Sequence, residues 1–128
     1  MDETVRCATA RPLVIPEIVS LPAEIDITNA PSIDDKLRAA FAPGVTVVIA
    51  DMTRTVFCDS SGVRYLLLAN DRAAEASAEL RLVIESAAVL CILRIIGADR
   101  LLNIYPSLEA ALTNAPQVQA QEADRVDG

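Results

Sequence analysis

The sequence predicts a small α/β domain with helices packed against a central sheet. Short apolar runs rich in β-branched residues alternate with stretches in which apolar residues recur every three or four positions. Val45–Ala50 is such a run, set between Pro43-Gly44 and Asp51, the pattern of a strand buried on both faces. A chain of 128 residues that is 52% hydrophobic can bury one core, and with only 3% aromatic residues that core is aliphatic.

In chain order, a first short strand is expected within Thr4–Ala8. Leu13-Val14-Ile15 and Ile18-Val19-Ser20-Leu21 read as short strands, with Pro16 and Glu17 at a turn or a sheet edge between them. Ile25 and Ile27 alternate with Glu24 and Asp26, which places the two carboxylates on one face of an extended segment. Thr28 or Asn29 can cap the helix that follows, and Pro31 suits its first turn. Ile33, Leu37 and Phe41 form its buried stripe, with Asp34, Asp35, Lys36 and Arg38 on the other side, and Pro43-Gly44 ends it.

After Val45–Ala50, a second helix carries Val63, Leu66, Leu67, Asn70 and Ala74 at helical spacing. Leu80–Ile84 reads as the next strand. Val89–Ile96 reads as a third helix with a stripe of Val89, Ile92, Leu93 and Ile96 and with Gly97 as its C-cap. Leu101–Tyr105 reads as a short strand. Ser107 caps a last helix through Leu112, with Leu108, Ala111 and Leu112 turned inward. Residues 1–115 are read as a single domain, and 116–128 as an acidic, disordered tail.

Composition removes several function classes. A net charge of −7 disfavours nucleic acid and anionic membranes, and the tail, with three acids and one arginine, accounts for only part of it. Arg64, Arg72, Arg81, Arg94 and Arg100 form no cluster and read as solvated charge. No histidine occurs, so neither a Ser-His-Asp nor a Cys-His site can be built. Cys7, Cys58 and Cys91 show no C-x-x-C spacing and read as cytosolic thiols, with Cys58 and Cys91 behaving as small hydrophobes. The four glycines make no phosphate-binding loop. The acidic start is unlike a signal peptide, and no run reaches the ~18 apolar residues of a membrane span, so a cytoplasmic protein without a membrane partner is expected.

The segment Asp59-Ser60-Ser61-Gly62 stands where a strand pattern gives way to a helical one. A helix N-terminus favours negative charge, because its first N–H groups are unpaired and the helix dipole adds to the attraction. Asp or Ser can cap the helix, but one cap suffices and three capping-type residues are present. Gly62 costs helix stability relative to alanine, and its missing side chain would let another surface approach the hydroxyls. With no base to activate it, a serine here is suited to accept a phosphate from another protein rather than to attack a substrate. Glu24 and Asp26 read either as a solvated strand end or as a contact for basic groups of a partner.

These residues resemble the STAS domain of the anti-sigma factor antagonist, or anti-anti-sigma factor, family. Ala23-Glu24-Ile25-Asp26 followed by the Asn29–Phe41 helix is similar to the family's G-E-[IL]-D segment, with Ala23 in the glycine's place. Val47–Met52, then Val56–Val63, is similar to its buried strand and D-[ST]-[ST]-G loop. Leu80–Ile84, Val89–Gly97 and Leu101–Leu112 are similar to its last third, so that the resemblance spans residues 12–113.

The resemblance implies a four- to five-stranded mixed sheet with about four helices packed mainly on one side. It implies a non-enzymatic transcription regulator that switches partners, binding an anti-sigma factor that is also a serine kinase and thereby releasing a sigma factor. ATP and Mg²⁺ belong to that kinase, so the chain itself needs no cofactor. Phosphorylation falls on Ser61, with Ser60 as the fallback, and blocks binding; a serine phosphatase restores it. Glu24, Asp26, Asp59, Ser60, Ser61 and Gly62 form the expected partner-binding surface on a monomer or weak dimer. A second reading is a non-switching STAS scaffold in a stress-signalling or transporter-associated assembly, in which Ser61 is only a helix-start residue. An enzyme using Glu24, Asp26 or Asp59 lacks every accompanying motif.

Overall fold

Residues 15–113 are described by the structure, a computed structural model. Thr4–Ala8, Cys7, Leu13-Val14 and the tail 116–128 lie outside them. The elements are β1 (Glu17–Ser20), β2 (Glu24–Ile25), α1 (Ala30–Ala40), β3 (Val47–Met52), β4 (Phe57–Cys58), α2 (Ser60–Glu75), β5 (Glu79–Ile84), α3 (Ala87–Ile96), β6 (Asn103–Tyr105) and α4 (Leu108–Thr113), with a 3-10 turn at Ala98–Arg100. Strand β1 starts at Glu17 and lies at an edge of the main sheet, so of the two readings of Pro16-Glu17 the edge holds and the turn does not; Ile15, expected in a strand, precedes β1 and is exposed.

The main sheet has the order β1-β3-β5-β6, and β2 pairs with β4 in a second, two-stranded sheet. Among the described residues every pair is parallel, so the mixed character that the resemblance implies does not show there. Parallel neighbours need crossovers, and α1, α2 and α3 supply them. Strand β3 sits between β1 and β5, with Val48 opposite Glu17 and Leu80.

Alternation along β3 splits the core. Val48, Ala50 and Met52 pack with Ile33, Leu37, Val63, Leu66 and Leu93 from α1, α2 and α3. Val47 and Ile49 pack on the other face with Val83, Tyr105 and Ala111, beneath α4. Three helices therefore cover one face and the short α4 the other, so both central strands are buried on both sides. The buried stripe of α2 is Gly62, Val63, Leu66, Ala69 and Ala73; the expected Ala74 is exposed, and Asn70 reaches across to the Leu101 carbonyl at 3.1 Å. Gly97 adopts φ 88° and caps α3 as expected, and the Ser107 hydroxyl accepts from Ala110 N–H at 3.1 Å. Ile96 and Leu112 are exposed rather than inward, whereas Leu93 and Ala111 in the same last turns are fully buried.

Two charges expected on the surface are buried. Asp34 lies between α1 and α2, where it accepts from Arg38 Nε at 3.1 Å and pairs with Arg72. Arg81 is buried under α4; its Nε donates to Glu79 Oε2 at 3.3 Å, its Nη1 donates to the Ala111 carbonyl, and its guanidinium stands 5.3 Å from the centre of the Tyr105 ring. Glu79 and Arg81 are two residues apart in a strand, so both face α4. Among the described residues no helix is long and apolar enough to cross a membrane.

Candidate functional site

Strands β2 and β4 are each two residues long and owe their pairing to the loops before them. The buried Thr55 hydroxyl donates to the Pro22 carbonyl at 2.7 Å, and the N–H groups of Val56 and Phe57 both donate to the Ala23 carbonyl. Glu24 then pairs with Phe57 and Ile25 with Cys58, and Asp59 N–H donates to the Ile25 carbonyl at 3.1 Å. The two parallel strands thus run out side by side. Asp26 follows one and Asp59 the other, each leading into the N-terminus of a helix. This pairing brings the sequence-predicted residues Glu24 and Asp26 into the neighbourhood of Asp59, Ser60, Ser61 and the buried Gly62, around the ends of β2 and β4.

Asp59 is the cap of α2. Its backbone is extended, and its Oδ1 accepts from Gly62 N–H at 3.0 Å. Ser60 and Ser61 therefore occupy the first two helical positions with no capping duty; Ser60 is exposed and Ser61 half-buried. Beyond the Asp59 cap, no acidic side chain lies in the first helical turn, so the Asp59 carboxylate is the one acidic side chain that the sequence sets at this helix start. Gly62 is buried. A Cβ at this position would stand 2.7 Å from both Cys58 Sγ and Ile25 Cγ2. The space that the sequence assigns to an approaching partner is thus filled from inside the chain, by β2 and β4.

The neighbouring loop is fixed by side chains. Asn29 Oδ1 accepts from Asp26 N–H at 2.9 Å, and Asn29 Nδ2 donates to the Glu24 carbonyl at 2.8 Å. Asn29 stands at the cap position of α1, but its side chain makes no cap bond because it braces the Glu24–Asp26 segment. Asp26 in turn accepts from the N–H of Thr28 at 3.0 Å and from its hydroxyl. The Thr28 hydroxyl, then its amide, holds the Asp26 carboxyl below the usual carboxylate range, so it stays charged to lower pH. Ile27 does not face the core as the alternation predicts: β2 ends at Ile25, the chain turns at Asp26, and Ile27 is 62% exposed.

An apolar flank adjoins the loop. Val56 and Phe57 are exposed and, with Cys58, Ala88, Cys91 and Ile92, line an open groove of about 290 Å³ between β4 and α3. Burial pushes the Cys58 thiol up from 9.0 to about 11, with the Asp59 charge adding to it, so thiolate chemistry is suppressed beside Ser60. Cys91, expected in apolar surroundings, is exposed at the wall of this open groove. Sequence reading missed the bracing by Thr55 and Asn29 and the Val56-Phe57 flank. Only the Asp26-x-Thr28 spacing, an Asx-type turn, signals that the loop is held by its own side chains.

Comparisons with known proteins bear on the family and the fold. The family model of the STAS domain matches residues 10–111. An anti-sigma factor antagonist from Mycobacterium paratuberculosis is 23% identical and superposes with a TM-score of 0.70 over 80% of this chain and 87% of that one. The anti-sigma factor antagonist SpoIIAA, solved in its unphosphorylated form, is 28% identical, with a TM-score of 0.61 over 79% of this chain and 90% of that one. A sulfate transporter family protein from Wolinella succinogenes is 17% identical, with a TM-score of 0.60 over 94% of this chain and 96% of that one. No curated protein matches the chain.

Proposed function

This chain belongs to the STAS domain family, and we propose from that premise that it is a cytoplasmic anti-sigma factor antagonist switched by phosphorylation at Ser61. In this reading it binds an anti-sigma factor that is also a serine kinase, releases a sigma factor, and catalyses nothing itself. One observation carries the reading. Asp59 alone caps α2, which leaves Ser60 and Ser61 at the positive end of a helix without a structural task. The similarity to two anti-sigma factor antagonists, one of them solved in its unphosphorylated form, supports it.

A phosphate on Ser61 adds about −1.5 to −2 charge beside Asp59 and near Asp26. The unpaired N–H groups of the first turn of α2 stabilise that charge in the free protein. A partner that offers cations to Glu24, Asp26 and Asp59, and apolar side chains to Val56 and Phe57, then meets a changed surface. The test is to incubate the chain with its cognate kinase and ATP and to map the product by mass spectrometry. Phosphate is expected on Ser61, lost in Ser61→Ala and kept in Ser60→Ala. Ser61→Asp is expected to weaken kinase binding. A chain unmodified at both serines removes the switch.

The likeness to a sulfate transporter family protein favours a second reading, a STAS module that serves as a scaffold in a membrane-associated assembly. In that case Ser61→Asp leaves partner binding unchanged.

A further inference from the structure

We propose that the groove between the C-terminal halves of α1 and α2 is a binding site for a small amphipathic anion, an apolar chain ending in a carboxylate. The groove measures about 200 Å³, and its floor is built from Leu37, Phe41, Ala69, Ala73 and Ala76. That is below the ~300–1,000 Å³ of sites for drug-sized ligands, so the occupant is small. Its rim carries two guanidiniums, Arg38 and Arg72.

Charge decides the occupant. Among the described residues both arginines turn to the same buried carboxylate, Asp34. Within the ion-paired trio two cations share one anion, which leaves one positive charge over at the groove; Asp35, Asp71 and Glu75 on the same helices form no salt bridge with either arginine. A guanidinium has five N–H donors, and the bonds to Asp34 use one from each arginine. Both side chains remain partly accessible, Arg38 at 62% and Arg72 at 34%. The carbonyls at the C-terminal ends of the two helices repel an anion, so a carboxylate can rest here only if the guanidiniums hold it. An alkyl chain on the floor supplies the rest by burial. Arg72 lies eleven residues beyond Ser61 on α2, about 16 Å along the helix, so the site is separate from the phosphorylation loop and does not depend on that reading.

The proposal is tested by titrating the isotope-labelled chain with sodium octanoate and following the backbone amides of Phe41, Ala73 and Ala76 by NMR. Octan-1-ol serves as the chain without a charge, and inorganic phosphate as the charge without a chain. Saturable shifts with octanoate are expected, at least about tenfold tighter than with octanol and absent with phosphate. Arg72→Gln is expected to weaken octanoate binding about tenfold. Ala76→Phe fills the groove without touching either ion pair and is expected to abolish binding with an unchanged spectrum elsewhere, so a folding defect in the arginine variant leaves the test intact. No saturable octanoate shift, equal response to octanol or phosphate, or full binding in Ala76→Phe overturns the proposal.

Discussion

Gly62 has no room for a side chain. Alanine is the better helix former by about 1 kcal/mol, but its methyl group would meet Cys58 Sγ and Ile25 Cγ2 at 2.7 Å. Overpacking of this kind costs about 1–3 kcal/mol, so the clash outweighs the gain in propensity. Gly62→Ala is therefore expected to lower the melting temperature by several degrees in a calorimetric scan; an unchanged or raised value contradicts the packing account. The same crowding restrains Cys58, whose thiol titrates near 11. A cysteine with a raised value stabilises the fold fully below about pH 9, and that contribution fades as the pH rises through 11. At this scale the sequence marks the Asp59–Gly62 cluster by its excess of capping residues. It does not say which one caps, because Asp and Ser are equivalent there until the backbone fixes which oxygen meets the Gly62 N–H.

Each element begins close to where periodicity and punctuation put it, but the partners of the shortest ones come from elsewhere. A two-residue strand such as β2 or β4 has almost no local signature, and its pairing rests on Thr55, Asn29 and the Ala23 carbonyl. Helix α4 is a similar case. Six residues form a helix only marginally in isolation, and this one is docked by Ala111, by Leu108 and by Arg81 reaching its last turn. In the sequence Arg81 sits between Leu80 and Leu82 and reads as solvated charge. Its burial follows from α4 folding back over that face. Arg81→Gln removes the bond to Ala111 and leaves the buried Glu79 carboxylate without its arginine. A loss of about 3–5 kcal/mol is expected by urea denaturation. A loss below about 1 kcal/mol contradicts the latch.

Across the whole molecule, burial sets the order of local stability. Strands β3 and β5 are central and covered on both faces, whereas β2 and β4 form a separate pair of two residues each. Amide hydrogen exchange under native conditions is expected to be slowest in Val47–Met52 and Glu79–Ile84 and markedly faster in Glu24–Ile25 and Phe57–Cys58. Comparable protection in the two sheets contradicts this hierarchy. A stiff centre with a looser rim is what the proposed switch at Ser61 calls for. The alternation of strand and helix signals determined the α/β class, the approximate element boundaries, the aliphatic core and the serine-bearing helix start, because these depend on residues within a few positions of one another. The tertiary structure alone decided that Asp34 and Arg81 are buried, that Gly62 serves internal packing, and that it is the pairing of β2 with β4 that brings Glu24 and Asp26 near Asp59, a neighbourhood that along the sequence only the family resemblance implied. Those facts depend on which faces are covered and which distant segments pair, and neither periodicity nor propensity along the chain carries that information.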